Sequence, residues 1–541
     1  MTYVVTQACC NDASCMSVCP VNCIHPAPGE PDFGKTEMVY VDPKSCIDCG
    51  ACADACPVSA IKPLALLTGS EQVFGDINAA YYADRPATDT WADPTFPVVE
   101  APRAKPLRVA VVGTGPAASY AARELLTTSS AEVSMIERLP VAGGLVRAGI
   151  APDHQDTKRL GDMFTWTYDH PRTSMFLNVE VGRDVTHADL LEHHDAVIYA
   201  VGARTDRPLD VPGEHLPGVH GSPDVVGWYN GHTDVAGSHV DVSTDRVVVV
   251  GNGNVALDVA RILLGDVEAL GRTDIADHAL EALRAGTVRE VVVLGRRGPQ
   301  HAAFTRPELL MMPAGIDVVV EADDAVAAEI AAAEPGSKAA LLADVPLTPV
   351  DWSQPPAPGR RLVLAFHRTV EEVVGEQSVE GVRLGHTDPA NDATELVATG
   401  LLVRSTGHRG TRVDGLPFDE ATTTVPHTAG RVTDPATSEP VPGTYVVGWI
   451  KRGATGGIGA NRTDAQETVA TLLADAREHR LPDAPRTAKE FARLLKRRGV
   501  DVVDRRRMKR IDAAERARGS AEERPRVKFL TAEEMLRRRP R

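Results

Sequence analysis

The chain has 541 residues with 74 acidic against 58 basic side chains, a net charge of −16, which opposes the Lys- and Arg-driven counterion release that nucleic-acid binding requires. Its 43% hydrophobic and 24% charged content is that of a folded globular protein too long for one hydrophobic core. No apolar run approaches the roughly 18 residues of a membrane span, and the first residues carry neither a secretory nor an Arg-rich targeting pattern, so a cytoplasmic protein is expected.

All nine cysteines fall between Cys9 and Cys56, which implies one dedicated region. Within it Cys46-x2-Cys49-x2-Cys52-x3-Cys56-Pro57 repeats, at identical spacing, the earlier Cys9-x2-Asp12-x2-Cys15-x3-Cys19-Pro20. Three thiolates at two-residue intervals wrap one face of an iron-sulfur cubane, while a more distant cysteine reaches the neighbouring cluster. Ligation therefore crosses between the halves. Cys46, Cys49, Cys52 and Cys19 are expected to hold one 4Fe-4S cluster, and Cys9, Cys15 and Cys56 the other. Asp12 stands where the second set needs a fourth thiolate, so that cluster is completed by a carboxylate or left as 3Fe-4S. Cys10 is a rival ligand off the repeat spacing, and Cys23 a spare thiol. Paired Cys-x2-Cys also occurs in structural zinc sites, but three evenly spaced cysteines followed by Cys-Pro suit zinc poorly, and a reducing compartment disfavours disulfides. Residues 1–62 resemble bacterial two-cluster ferredoxins, and related seven-iron ferredoxins also lack a cysteine at the position of Asp12.

Residues 63–105 lose all motif and carry Pro86, Pro94, Pro97 and Pro102, the composition of a linker. Leu107 to Val112 is then a β-branched run of the kind buried in a parallel sheet, followed by Gly113-Thr-Gly115-Pro-Ala117-Ala118 and a helical stretch to Leu126. A side chain at Gly113 or Gly115 would keep a pyrophosphate from the helix N-terminus, and Ala118 lets helix and strand pack closely. After a second strand, Glu137 stands where an adenosine ribose is hydrogen-bonded, which predicts a dinucleotide. Arg246 to Val250, then Gly251-Asn252-Gly253-Asn254-Val255-Ala256 and a helix to Leu264, repeat this order and predict a second dinucleotide site. Its later strand ends not in an acid but in Gly295-Arg296-Arg297-Gly298. Two guanidiniums grip a 2′-phosphate that a carboxylate would repel, which selects NADP(H) over NAD(H).

Two dinucleotides and iron-sulfur clusters together make an electron path: a hydride donor, a flavin that splits electron pairs, and one-electron acceptors. Over most of 107–541 the chain resembles the adrenodoxin-reductase-like branch of ferredoxin–NADP reductases, in its actinobacterial form with a ferredoxin fused at the N-terminus. The residues that carry the resemblance are Gly144-Leu145-Val146-Arg147, Pro152-Asp153-His154-Gln155, Asn178 to Gly182, Gly251 to Asp258, Arg296 to Pro299, Phe304-Thr305 with Glu308, and Gly448-Trp449 to Gly459. The resemblance implies FAD contacts from Ala117, Glu137, Leu145, Val181, Trp449, Gly456, Gly457 and Ile458. It implies NADP(H) contacts from Asn252, Gly253, Asn254, Val255, Arg296, Arg297, Glu308 and Gly456. His154 is implied beside the reacting face, with Glu308 as its catalytic companion. Where some relatives have a second glutamate this chain has Met311, and Ala454 replaces a common proline.

The expected architecture is an α+β ferredoxin-like domain (1–62), a linker (63–105) and an α/β two-dinucleotide-binding, Rossmann-like flavoprotein reductase. Its FAD-binding domain (106–204 and 411–541) is interrupted by an NADP-binding domain (205–410). NADPH is the expected donor, and a downstream redox protein such as a free ferredoxin or a haem monooxygenase the acceptor. Two other readings are an electron-feeding subunit of a larger oxidoreductase and an iron-sulfur redox sensor, the latter leaving the NADP site without a purpose. Phe491, Leu494 and Leu495 have the spacing of an amphipathic helix that packs on the reductase. Residues 496–541 carry 17 Lys or Arg against 8 Asp or Glu and are read as a solvated, frayed end. The alternative is a tail docked on the acidic residues 1–62, which carry 3 basic against 7 acidic side chains.

Overall fold

The computed structural model describes residues 2–83, 85, 99–100, 105–235, 239–387 and 393–538. In the cysteine-rich domain two short antiparallel ribbons, Tyr3–Val5 with Ile61–Pro63 and Ile24–His25 with Tyr40–Val41, enclose a small core that includes Val5, Ile24, Val41 and Phe74. Phe74 belongs to the helix Val73–Tyr81, whose buried Asn78 accepts from the amides of Val5 (3.1 Å) and Val41 (2.9 Å) and donates to the Val5 carbonyl (2.9 Å). The linker expected to start at residue 63 is corrected accordingly. Ribbons this short cannot bury a core or pair their outer amides alone, and this helix does both. Pro86, Pro94, Pro97 and Pro102 lie outside the described residues.

Arg108–Val112, buried along its whole length, lies near the centre of a seven-stranded sheet. The strand order is 427–428, 431–433, 440–446, 196–199, 108–112, 132–137 and 173–177, the last five running parallel. A second seven-stranded sheet, parallel throughout, runs 219–221, 401–404, 246–250, 290–295, 360–366, 316–321 and 347–348. On one face of it an antiparallel meander (Arg368–Val374, Gly381–His386, Thr394–Ala398) takes the place of a helical layer and buries Val370, Val382 and Leu384 against Val248, Val292 and Val363. Thr205–Asp206 and His408–Arg409, which pair with each other, carry the chain out of the first sheet's unit and back. The α+β and Rossmann-like α/β architecture is therefore the one the sequence predicts.

Ala488–Arg497 seats Phe491, Leu494 and Leu495 in the first unit's core, as their spacing predicts. The basic end departs from expectation. Through residue 538 it is folded, and among the described residues it forms no ion pair with the cysteine-rich domain. Following the helix Arg505–Ala521, it lies across both sheet units. Glu515, fully buried, accepts from Arg147 Nη2 (2.6 Å), Arg526 Nη1 (3.2 Å) and the Phe529 amide (3.0 Å). Lys528 and Lys158 share Asp274 at 2.7 Å each, and Arg524 reaches Asp277 at 2.6 Å. Buried cations that a charge count assigns to solvent are here matched by carboxylates of the second unit and of the segment itself, the only terms on which buried charge is tolerated.

Candidate functional site

Two helix N-termini stand open. After Arg108–Val112, Gly113 has φ +112°, and a Cβ there would lie 2.5 Å from the Ala200 carbonyl oxygen. Gly144 closes over the same turn, where a Cβ would lie 2.7 Å from the Gly115 Cα. Gly115 is the N-cap of the helix Pro116–Thr128, and no side chain caps it, which leaves the first amides to meet an anion. Ala118 is buried against the sheet. Glu137 ends the neighbouring strand, accepting from the Thr114 amide (3.1 Å), the Thr114 hydroxyl (2.8 Å) and the Leu139 amide (3.0 Å). A carboxylate offers about four acceptor positions, so capacity remains. Ala117 lies under Gly448, where a Cβ would be 2.6 Å from its own. Leu145 is 44% exposed at the turn, and the Trp449 ring is 5.4 Å from that of His408. Gly456 and Gly457 are exposed, Ile458 packs on the core beneath them, and Val181 packs on the core of the sheet's other face. Open amides, close-approach glycines, a terminal carboxylate and an apolar flank fit a flavin dinucleotide.

The second turn repeats the arrangement. A Cβ at Gly251 (φ +107°) would lie 2.3 Å from the Ser405 carbonyl oxygen, and Gly253 N-caps the helix Asn254–Leu264 without a capping side chain. Asn252 and Asn254 accept from the amides of Ala303 (3.3 Å) and Thr305 (2.8 Å), tying the turn to that loop, and Val255 is half-buried behind them. Arg296 and Arg297 are exposed just past the strand Glu290–Gly295, and neither pairs with a carboxylate among the described residues.

The helix after the second turn carries a residue the sequence did not single out. Arg261, its side chain 3% exposed, pairs with Asp153 and Asp258, donates to Glu308 Oε2 at 3.1 Å and, through Nη2, to His154 Nε2 at 2.6 Å. His154 Nε2 and Glu308 Oε2 are 3.8 Å apart. With Nε2 accepting, the proton of the neutral imidazole is assigned to Nδ1. Against its burial, the charges of Asp258 and Asp153 hold Arg261 above its ordinary value, while burial and then the charge of Asp258 push Glu308 up. His154, Asp258 and Glu308 bring ligand atoms within 4.8 Å of one another, but Arg261 already supplies the positive charge among them. The signal in the sequence was an arginine between Ala260 and Ile262, both core residues of one helix, since a charge on a buried face needs partners.

In the cysteine-rich domain burial pushes Cys9 up to about 12, with the charges of Cys56 and Asp12 adding to it. Cys15 is raised by burial and then by Cys9, Asp12 and Cys56. Cys52 is raised to about 11 by burial and by Cys19, Cys46 and Cys49. Cys9, Cys10 and Cys15 thus lie within electrostatic reach of Asp12 and Cys56, Cys23 and Cys52 within that of Cys19 and Cys46, and Cys15 also feels Cys52, so the two sets adjoin. Buried thiols of this kind ionise when a metal supplies the counter-charge. Cys23 Sγ lies 3.4 Å from Cys19 Sγ and holds that thiol below its ordinary value. Both carboxylate oxygens of Asp12 accept from Ser14, one from its amide (3.1 Å) and one from its hydroxyl (2.5 Å).

Fold and site define a two-dinucleotide flavoprotein oxidoreductase that carries an iron-sulfur domain. Residues 107–294 match the pyridine nucleotide-disulphide oxidoreductase family and residues 39–62 the 4Fe-4S binding domain. The chain is 48% identical to the probable ferredoxin/ferredoxin–NADP reductase of Mycobacterium tuberculosis over 99% of this chain and 94% of that protein. It is 46% identical to the Mycobacterium leprae counterpart over 99% of this chain and 97% of that protein. The structure of Mycobacterium tuberculosis FprA in complex with NADPH is 41% identical and superposes with a TM-score of 0.71, covering 80% of this chain and 99% of FprA. The chain belongs to the ferredoxin–NADP reductases, in the form that carries a 4Fe-4S binding domain at its N-terminus. No described helix is long and apolar enough to cross a membrane.

Proposed function

We propose that this enzyme draws electrons from NADPH and delivers them, one at a time, through two iron-sulfur clusters of its own N-terminal domain to a separate redox protein such as a free ferredoxin or a haem monooxygenase. FAD, when bound, supplies the exchange between hydride and single-electron traffic. The observation that carries this reading is the presence of two uncapped glycine-turn helices, one on each seven-stranded sheet, with a cysteine-rich domain in the same chain.

Gly113, Gly115 and Ala118 let the pyrophosphate of FAD approach the first helix, and Glu137 accepts from its ribose. Ala117, Leu145, Val181 and Trp449 would hold the rest of the flavin, and the backbone amides of Gly456, Gly457 and Ile458 would stabilise the charge of its reduced ring. Asn252 to Val255 meet the pyrophosphate of NADP(H), and Arg296 and Arg297 take its 2′-phosphate. Glu308 and Arg261 orient His154, which positions the nicotinamide while keeping its proton on Nδ1. Cys19, Cys46, Cys49 and Cys52 hold a 4Fe-4S cluster; Cys9, Cys15 and Cys56 hold the other, 3Fe-4S or 4Fe-4S according to what Asp12 does. Cys10, beside the same Asp12, Cys9 and Cys56, is the rival ligand that the repeat spacing disfavours. The FAD-binding part spans 106–204 and 411–541 around an NADP-binding part at 205–410. Nine free thiols suit the reducing cytoplasm.

Anaerobic purification with iron, sulfide and flavin counts, followed by NADPH titration, tests the reading. The expected result is loss of flavin absorbance and appearance of reduced-cluster signals. A fully loaded protein whose clusters stay oxidised under NADPH would overturn it.

A further inference from the structure

The contacts that seat the cysteine-rich domain on the reductase favour one of its two cysteine groups. Gly459, next after Gly456-Gly457-Ile458, donates its amide to the Cys10 carbonyl at 2.7 Å. A Cβ at Gly459 would lie 2.1 Å from the Asn11 carbonyl carbon and 2.4 Å from the Cys10 carbonyl oxygen, so only glycine permits this approach. Three residues on, Arg462 Nη1 donates to the Asp12 carbonyl (2.6 Å) and to Ser14 Oγ (3.3 Å). Cys10 packs within the reductase core, in one cluster with Val58, Tyr120 and Phe164, and Cys9, Cys56 and Ile458 pack on that cluster's edge.

No member of the other group packs on that reductase cluster. Cys52 is buried in the small domain's own core beside Cys15; Cys19 and Cys46 lie at its edge, as Cys9 and Cys56 also do, and Cys49 is exposed near Ile47, itself 59% exposed. The seat is held at further points. Arg159 donates to Ser59 Oγ at 3.1 Å, and Glu37 pairs with Lys338 while accepting from the Arg306 amide at 3.0 Å. Met311, where some relatives have glutamate, packs on the small domain's core and its sulfur accepts from Ser70 Oγ at 3.8 Å.

We propose that this seat fixes the order of the two clusters: electrons enter through the cluster on Cys9, Cys15 and Cys56 and leave through the cluster on Cys19, Cys46, Cys49 and Cys52, with Gly459 and Arg462 as positioning residues for entry. The inference rests on the function proposed above. The electron pair of one NADPH hydride would be divided singly between the two clusters, releasing NADP+ and one proton, and would leave one electron at a time to two molecules of an external one-electron protein at the surface around Ile47 and Cys49.

The test uses the full-length, anaerobically loaded protein mixed with NADPH. Flavin absorbance reports the hydride step, and freeze-quenched electron paramagnetic resonance reports each cluster. In Arg462→Ala, flavin bleaching and iron content stay at wild-type values while cluster reduction slows severalfold or more. In Cys56→Ala the cluster on Cys46, Cys49 and Cys52 is still assembled by iron and sulfide count but is no longer reduced by NADPH; in Cys49→Ala the inner cluster still is. Should Cys56→Ala not fold, Gly459→Val provides the same readout, because its side chain must push the domain away. Wild-type rates of outer-cluster reduction in Arg462→Ala, or in either of the other two entry-side variants, overturn the order. Absence of flavin bleaching in the wild-type protein refutes the functional reading itself, so the two failures are distinct.

Discussion

Replacing Glu515 by glutamine probes whether the basic C-terminal segment clamps the two dinucleotide units. The Glu515 side chain is wholly buried, and its partners Arg147 and Arg526 are 16% and 18% exposed. Against the cost of burial, the charge and hydrogen bond of Arg147 hold the Glu515 carboxyl below its ordinary value. Glutamine has the same shape and still accepts from the Phe529 amide, but it leaves Arg147 without a counter-charge. Removing one partner of a buried pair costs about 3–5 kcal/mol, and partial exposure of the two arginines brings the expectation to about 2–3 kcal/mol. Urea unfolding followed by circular dichroism and by flavin fluorescence measures it. Flavin should be lost early as well, since Arg147 lies two residues from Leu145 at the first glycine turn. A carboxyl held low stabilises above its ordinary value of 4.5 and ceases to do so as pH falls through its folded value. Wild-type and Glu515→Gln stabilities should therefore converge in acid. A neutral-pH loss below about 1 kcal/mol, the range of exposed pairs, or a difference that persists in acid, would refute the reasoning.

Changing Arg296 and Arg297 together to glutamine should raise the KM for NADPH by about a hundredfold, from roughly 3 kcal/mol of charge-assisted hydrogen bonding, with little effect on NADH; equal losses with both nucleotides would sink the assignment. Cys19→Ala should abolish the cluster on Cys46, Cys49 and Cys52, and Asp12→Cys should convert any three-iron resonance signal to a four-iron one. No three-iron signal after mild oxidation, together with no effect of Asp12→Cys, would remove Asp12 from the weak corner. Burial lowers the fully buried His194 from its ordinary 6.5 to about 4. Unfolded chains bind that proton first, so stability should fall as pH drops from 6.5 toward 4, by about 3 kcal/mol in all. His194→Leu should flatten that part of the curve, and an unchanged slope would exclude the residue as its source.

The parts legible in the sequence act over a few residues of backbone. The repeat of Cys9 to Cys19 in Cys46 to Cys56 is a matter of spacing alone, and Gly113 and Gly251 adopt positive φ against Ala200 and Ser405 because the strand-to-helix turn leaves no room for a Cβ. Those features announce themselves whatever lies elsewhere in the chain. The helix Val73–Tyr81 did not, since its task, bridging Val5 and Val41 through Asn78, appears only once the two ribbons are side by side. Arg261 among Asp153, His154 and Glu308, Glu515 beneath Arg147, and Gly459 against Cys10 join residues more than a hundred positions apart, apart from the Arg261–Glu308 contact at 47. A charge count reads such side chains as solvated, because composition says nothing of which opposite charge burial will place beside them. The sequence by itself determined which cofactors the chain is shaped to hold; which charges are matched, and which cysteine group meets the reductase, were decided by tertiary packing, where the cost of burying an unpaired charge or displacing a backbone admits few solutions.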